Sequence, residues 1–144
     1  MIKQIAASIV LFVSCIAPSF AAEPAVEEVV PEHEDSVTNV SAETLATMIT
    51  TDASILIVDA RIQKGREKGY IEGSIALPDV ETSCNSLAKH IPNKTTKVVF
   101  YCTSSKCGRS LNSIRIAKDC KYTDLYWFRG GFEEWTANGF PYKK

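Results

Sequence analysis

The sequence predicts an α/β domain in three layers, a central parallel sheet flanked by helices, running from about residue 37 to the carboxyl terminus. Three observations predict it. Short β-branched or aromatic runs recur along the chain, stretches with apolar residues at helical spacing separate them, and Gly, Pro and Asn mark the boundaries. Strands that alternate with helices build parallel sheets whose strands are buried on both faces.

The elements follow in order. Ser41 is placed to cap a helix in which Leu45, Met48 and Ile49 recur at helical spacing. Ser54-Ile55-Leu56-Ile57-Val58 is a buried strand ending at Asp59. Ile75-Ala76-Leu77, stopped by Pro78, is a second short strand. Val80, Cys84, Leu87 and Ile91 fall on one face of a helix. Lys97 to Tyr101 is the strongest strand, and Ser110 to Lys118 a helix with Leu111, Ile114 and Ala117 on one side. Asp124 to Phe128 is a further strand, closed by Gly130-Gly131. A last short helix, Phe132 to Asn138, ends at Gly139 and Pro141.

At 144 residues the chain has room for one domain. A formal net charge of -1 gives no basic surface for nucleic acid. The charge is uneven, however. Residues 22–36 hold six acids, no Lys or Arg, and both Pro24 and Pro31, which reads as a flexible acidic linker. From residue 37 onward, 15 basic face 11 acidic residues, a balance of +4 suited to a small anionic substrate. Residues 1–21 read as a signal peptide: Lys3, an apolar stretch from Ile5 to Val13, Pro18, and small residues at Ser19 and Ala21 before a cut at Ala22. The stretch is too short to span a membrane. The expected location is periplasmic or secreted, with no stable membrane insertion once the signal is removed. Lipid anchoring at Cys15 is a minor alternative.

In open parallel sheets, ligands gather beyond the carboxyl ends of the strands. Cys102 stands there, directly after the strongest strand. The loop Thr103-Ser104-Ser105-Lys106-Cys107-Gly108 follows, and Arg109 and Ser110 open the next helix. Small residues let a loop curl its N–H groups inward, and the helix adds unsatisfied amides and the positive end of its dipole. With Lys106 and Arg109 alongside, this setting favours thiolate over thiol and suits a persulfide anion equally well. With two histidines and no Cys-x-x-Cys pair, a structural zinc site is not expected.

Four stretches in order resemble the rhodanese-like domain family over nearly all of Val37 to Tyr142. They are Leu56-Ile57-Val58-Asp59-Ala60-Arg61; Gly69-Tyr70-Ile71-Glu72-Gly73 running on to Pro78; Val99-Phe100-Tyr101-Cys102 with Gly108-Arg109-Ser110; and Tyr126-Trp127-Phe128-Arg129-Gly130-Gly131-Phe132 with Trp135, Gly139 and Pro141. The resemblance implies a sulfurtransferase that moves sulfane sulfur through a Cys102 persulfide, from a small anionic, thiosulfate-like donor to a thiol or protein acceptor. Thr103, Ser104, Ser105, Lys106, Cys107, Gly108 and Arg109 would bind the donor, and no metal or organic cofactor would be needed, because sulfur itself supplies the covalent intermediate. Two positions depart from the family pattern. Tyr70 replaces a common His, and Arg109 falls seven residues after Cys102 where the family has an arginine at five; Cys107 takes that place.

Alternatives stay open at this point. Cys107 also fits a periplasmic thiol–disulfide redox protein cycling a Cys102–Cys107 bond, and an idle rhodanese-like binding module fits as well. A phosphatase is disfavoured, because its arginine belongs six residues after the nucleophile. Cys84 and Cys120 read as buried small hydrophobes, or as a disulfide. Asp59 and Arg61 read as a structural ion pair.

Overall fold

The computed structural model describes residues 29–144. The signal peptide assigned to 1–21 and the first half of the acidic linker lie outside the described residues. The elements are β1 (Thr38–Asn39), α1 (Ala42–Thr51), β2 (Leu56–Asp59), α2 (Gln63–Arg66), β3 (Ile75–Ala76), a 3-10 turn (Asp79–Glu81), α3 (Cys84–His90), β4 (Val98–Tyr101), α4 (Arg109–Asp119), β5 (Leu125–Phe128) and α5 (Gly131–Ala137). The strands form one sheet in the order β1-β5-β4-β2-β3, parallel at every pairing.

Strand alternation builds two cores from one sheet, because successive side chains point to opposite faces. Val58, Val98, Phe100, Leu125 and Trp127 face α3 and α4, meeting Leu87, Ile91, Leu111 and Ile114. Ile57, Val99, Tyr101 and Phe128 face the other way, onto Leu45 of α1 and Trp135 of α5. All four residues of β4 are buried, as the apolar run at 97–101 predicts. Ser41 does cap α1, its hydroxyl accepting from the Thr44 amide at 3.2 Å.

Three expectations need correction. The helix expected from Val80 to Ile91 is split. Ser83 and Ser86 form reciprocal caps that start α3 at Cys84, so Val80 falls in the 3-10 turn and is 75% exposed. Cys84 is exposed as well, and it is not a buried hydrophobe: it is disulfide-bonded to Cys120. The third correction concerns residues 29–36, which do not form a free tether. Arg129 donates to the Pro31 carbonyl at 2.8 Å and the Val30 carbonyl at 3.2 Å. Glu34 accepts from Lys118 at 2.7 Å and Arg115 at 3.2 Å, tying the segment along α4. Among the described residues, no helix is long and apolar enough to cross a membrane.

The acids that suggest a solvated linker are thus, in Glu34, a latch. The hydrogen bond from Lys118 holds the Glu34 carboxyl below its ordinary value of 4.5, against partial burial and with Arg115 adding to it. A depressed carboxylate stabilises the folded state above its unfolded value and loses that contribution as pH falls through its folded value. The latch is therefore complete at neutral pH and opens in acid below 4.5. Two partly exposed ion pairs contribute ~0.2–1 kcal/mol each. Glu34→Gln is expected to speed amide exchange across 29–36 about threefold at neutral pH. In acid, variant and wild type should exchange alike; an equal ratio at both pH values would count against the latch.

Candidate active site

The loop after β4 sits where two supports converge. From below, Tyr101 anchors the end of its strand. Its hydroxyl donates to Asp59 Oδ2 at 2.6 Å, across the β2–β4 pairing that sets Asp59 beside Tyr101. Asp59 is fully buried and also accepts from Arg61 Nη2 at 2.7 Å and Nε at 2.9 Å, and from Arg66 Nη1 at 3.0 Å. Burial, reinforced by the Asp59 charge, pushes the Tyr101 hydroxyl far above its ordinary value, so it remains a donor. Burial works against the Arg61 charge, but the hydrogen bonds and attraction of Asp59 outweigh it and hold the guanidinium above its ordinary value. The expected Asp59–Arg61 pair is thus part of a larger buried network, to which Arg66 and Ser74 also belong.

From the side, the turn between β5 and α5 grips the loop backbone. The amides of Phe132 and Glu133 donate to the carbonyls of Cys102 and Thr103, both at 2.9 Å. Gly131 makes this approach feasible. Its φ is +65°, and a Cβ there would lie 2.5 Å from the Cys102 carbonyl oxygen. The backbone at Cys102 is therefore held at both strand and turn.

Within the loop, the Cys107 amide donates to the Ser104 carbonyl at 3.0 Å, curling the chain back on itself. The curl brings the Cα atoms of Cys102 and Cys107 to 6.2 Å, and the two sulfurs are joined in a disulfide. Cys102 is 1% exposed, Cys107 only half-buried. Neither apolar cluster includes Cys102. Among the described residues, the amides of Thr103, Ser104, Ser105, Lys106 and Gly108 donate to no protein acceptor. Gly108 leaves the start of α4 without a side-chain cap, so first-turn amides there are uncommitted too.

Of the seven residues expected to bind a donor, Thr103 is held by the Glu133 amide and Cys107 by its disulfide, and the other five divide into three groups. Ser104 and Ser105 line an open cleft of about 610 Å³ with Asn39, Arg129 and Glu133. Lys106 and Gly108 line a smaller hollow of about 160 Å³, closed by Val29, Val30 and Pro31. Arg109 is drawn aside. Its Nη1 pairs with Asp79 Oδ1 at 2.5 Å, which spends its charge on a carboxylate of the 3-10 turn. Ser110 is the second residue of α4, buried, accepting from Trp127 Nε1 at 2.9 Å; this is a packing role. Arg129 was not singled out by sequence reasoning, yet it is the cation that borders the cleft beside Ser104. Tyr70 lies away from the loop, bridged to Lys143 and stacked under the Arg66 guanidinium at 3.8 Å.

Comparisons place this architecture among known proteins. A solved structure of the BH2092 protein from Bacillus halodurans superposes with a TM-score of 0.66 at 17% identity, over 74% of this chain and 76% of that one. The thiosulfate sulfurtransferase of Pseudomonas aeruginosa gives 0.60 at 22% identity, over 74% of this chain and 20% of its own. The rhodanese-like domain of the Anabaena Alr3790 protein gives 0.63 at 18%, over 76% and 80%. At these identities the likeness is one of fold. An uncharacterized protein of Buchnera aphidicola is 33% identical over 96 residues, 65% of this chain and 63% of that protein, so the match spans less than two thirds of the relative. The sequence pattern that describes the rhodanese-like domain matches residues 41–138, from the cap of α1 to the end of α5. With that match laid over a five-stranded parallel sheet, the chain belongs to the rhodanese-like domain family.

Proposed function

We propose that this protein is a sulfurtransferase in which Cys102, once freed from Cys107, carries sulfane sulfur as a persulfide. One observation carries the reading: Cys102 stands at the end of the central strand, inside a curled loop whose amides are uncommitted and beside the uncapped start of α4. Such a setting stabilises an anion on sulfur. With a thiosulfate-like donor, the Cys102 thiolate attacks the outer sulfur. The donor's S–S bond breaks, sulfite leaves with the electron pair, and Cys–S–S⁻ remains. A thiol or protein acceptor then takes the terminal sulfur. Covalent catalysis of this kind draws on sulfur itself for its intermediate and calls for no cofactor.

The loop amides with Ser104 and Ser105 cradle the donor, and Lys106 contributes charge at the rim. Arg129 supports the cleft in place of Arg109, whose charge is engaged by Asp79. Two disulfides fit a chain that works in an oxidising space, the periplasm or outside the cell.

Intact-mass measurement tests the reading. In the Cys107→Ser background, the reduced chain exposed to thiosulfate or inorganic polysulfide is expected to gain the mass of one sulfur atom, and to gain none once Cys102→Ser is added. Uptake that survives Cys102→Ser would sink it. The Cys102–Cys107 bond also favours a second reading, a thiol–disulfide redox protein. A reduced chain that closes its disulfide quickly but gives neither cyanide-dependent thiocyanate nor sulfide from the donor supports that reading over sulfur transfer.

A further inference from the structure

Beyond its expected place in the donor-binding loop, Cys107 has its sulfur bonded to the one that would carry the persulfide. We propose that Cys107 is a resolving thiol, and that the pair reduces sulfane sulfur to hydrosulfide at the expense of a dithiol. This rests on the Cys102 persulfide above. The Cys107 thiol passes its proton to the outer sulfur of the Cys102–S–S⁻ persulfide, and the resulting thiolate attacks Cys102 Sγ, the inner sulfur. A bond forms between Sγ of 102 and Sγ of 107, the bond to the outer sulfur breaks, and HS⁻ leaves with the electron pair. The outer sulfur is reduced and the two cysteines are oxidised, so no outside oxidant takes part. The disulfide in the structure is the product of this step.

Three features favour it. The first is reach. Cα atoms 6.2 Å apart and a completed bond show that Cys107 Sγ contacts the inner sulfur without moving the ends of the loop. Those ends are held, by the Phe132 amide on the Cys102 carbonyl and by the Asn112 amide on the Gly108 carbonyl, both at 2.9 Å. The second is competition. Cys102 is 1% exposed, which hinders an outside acceptor, whereas the Cys107 sulfur already lies against the Cys102 sulfur. Well-oriented intramolecular partners reach effective concentrations on the order of 10⁵ M, far above those of dissolved thiols. The third is leaving-group order. Attack on the inner sulfur expels hydrosulfide, a weaker base than an ordinary alkyl thiolate, and the weaker base departs faster.

The same asymmetry directs the reset. An incoming dithiol meets the more exposed sulfur, Cys107, forming a mixed disulfide there and expelling Cys102 as thiolate into the uncommitted amides. The second thiol of the reductant then closes its own disulfide and frees Cys107. Cys102 is thus the thiolate regenerated first, ready for the next donor.

The test is a single turnover. The full chain is reduced, freed of reductant, and given thiosulfate in one arm and inorganic polysulfide in the other. A Cys102→Ser chain serves as the blank for sulfide carried by the donor. Wild type is expected to release one sulfide per chain and to end at the disulfide mass, two hydrogens below the reduced form. Cys107→Ser is expected to carry the added sulfur and keep it, with sulfide release slower by about tenfold or more. Cys107→Ala, measured alongside, separates loss of the thiol from any effect of the new hydroxyl. Wild type that retains the extra sulfur, or a Cys107→Ser chain that releases sulfide as fast as wild type, overturns the resolving role and leaves the Cys102 persulfide standing. If neither donor adds sulfur to Cys107→Ser or to wild type and no sulfide appears, the persulfide itself falls, and this inference with it.

Discussion

Asp59→Ala is expected to lower the free energy of unfolding by about 3–5 kcal/mol, the usual consequence of removing one partner from a buried ion pair. The carboxylate is 0% exposed and serves three side chains at once, taking Arg61 and Tyr101 from within the core and Arg66 from its edge. Its loss strands unequal partners. Arg66, with a side chain 14% exposed, has a path to water. Arg61, at 3%, is left with the Gly65 and Gly69 carbonyls and no counter-charge. The Tyr101 hydroxyl retains Ser74 and the Ile71 amide, both at 3.3 Å, with Ser74 the one acceptor left to it. A domain of this size is typically stable by ~5–15 kcal/mol, so the variant should unfold near the edge of its working range. Urea unfolding measures the loss. Arg66→Ala is expected to cost clearly less than Asp59→Ala; equal losses, or a loss under about 1 kcal/mol for Asp59→Ala, would mean the network is solvated and not a buried brace. Because Tyr101 immediately precedes Cys102, the brace that stabilises the sheet also fixes the start of the loop.

What the sequence disclosed, and what it hid, divides along one physical line. β2, β4 and β5 are apolar on both faces because helices cover both, so Leu56–Asp59, Val98–Tyr101 and Leu125–Phe128 stand out as runs without reference to anything else. β1 is two residues at the sheet's edge, too short to show a period. Val80 obeys the helical period of Cys84, Leu87 and Ile91, yet it lies outside the helix. Periodicity sees side chains, whereas the boundary is drawn by the backbone amides that Ser83 and Ser86 satisfy. The site behaves the same way. A cysteine at the end of a buried strand is a local signal. That Arg109 is engaged by Asp79, thirty residues earlier, is not, and neither is the bond from Cys102 to Cys107, which depends on how tightly a loop curls. Arg129 did carry a signal, a lone cation between an aromatic strand and a Gly-Gly turn, but its role appears only when residues 30 and 31 are seen lying across it.

The two disulfides are expected to differ in what they contribute, and the difference bears on which one can be used as chemistry. In the chain-entropy account, the stabilisation grows with the length of loop a bridge closes. Cys84–Cys120 spans 36 residues and is expected to contribute about 4 kcal/mol. Cys102–Cys107 spans 5 and contributes about half of that, ~2 kcal/mol. The longer bridge also joins the first residue of α3 to the cap residue of α4, the two helices that cover one face of the sheet. A Cys84→Ala/Cys120→Ala chain, unfolded in urea without reductant, should therefore lose about 4 kcal/mol, and Cys107→Ser at most about 2. Comparable losses in the two chains, or a loss under about 1 kcal/mol in the double variant, would overturn this ranking. If the ranking holds, the protein remains folded each time the short bridge opens. A bridge on which the fold does not depend is the one that can be made and broken in turnover, while the long one keeps α3 and α4 in register beneath the loop that does the chemistry.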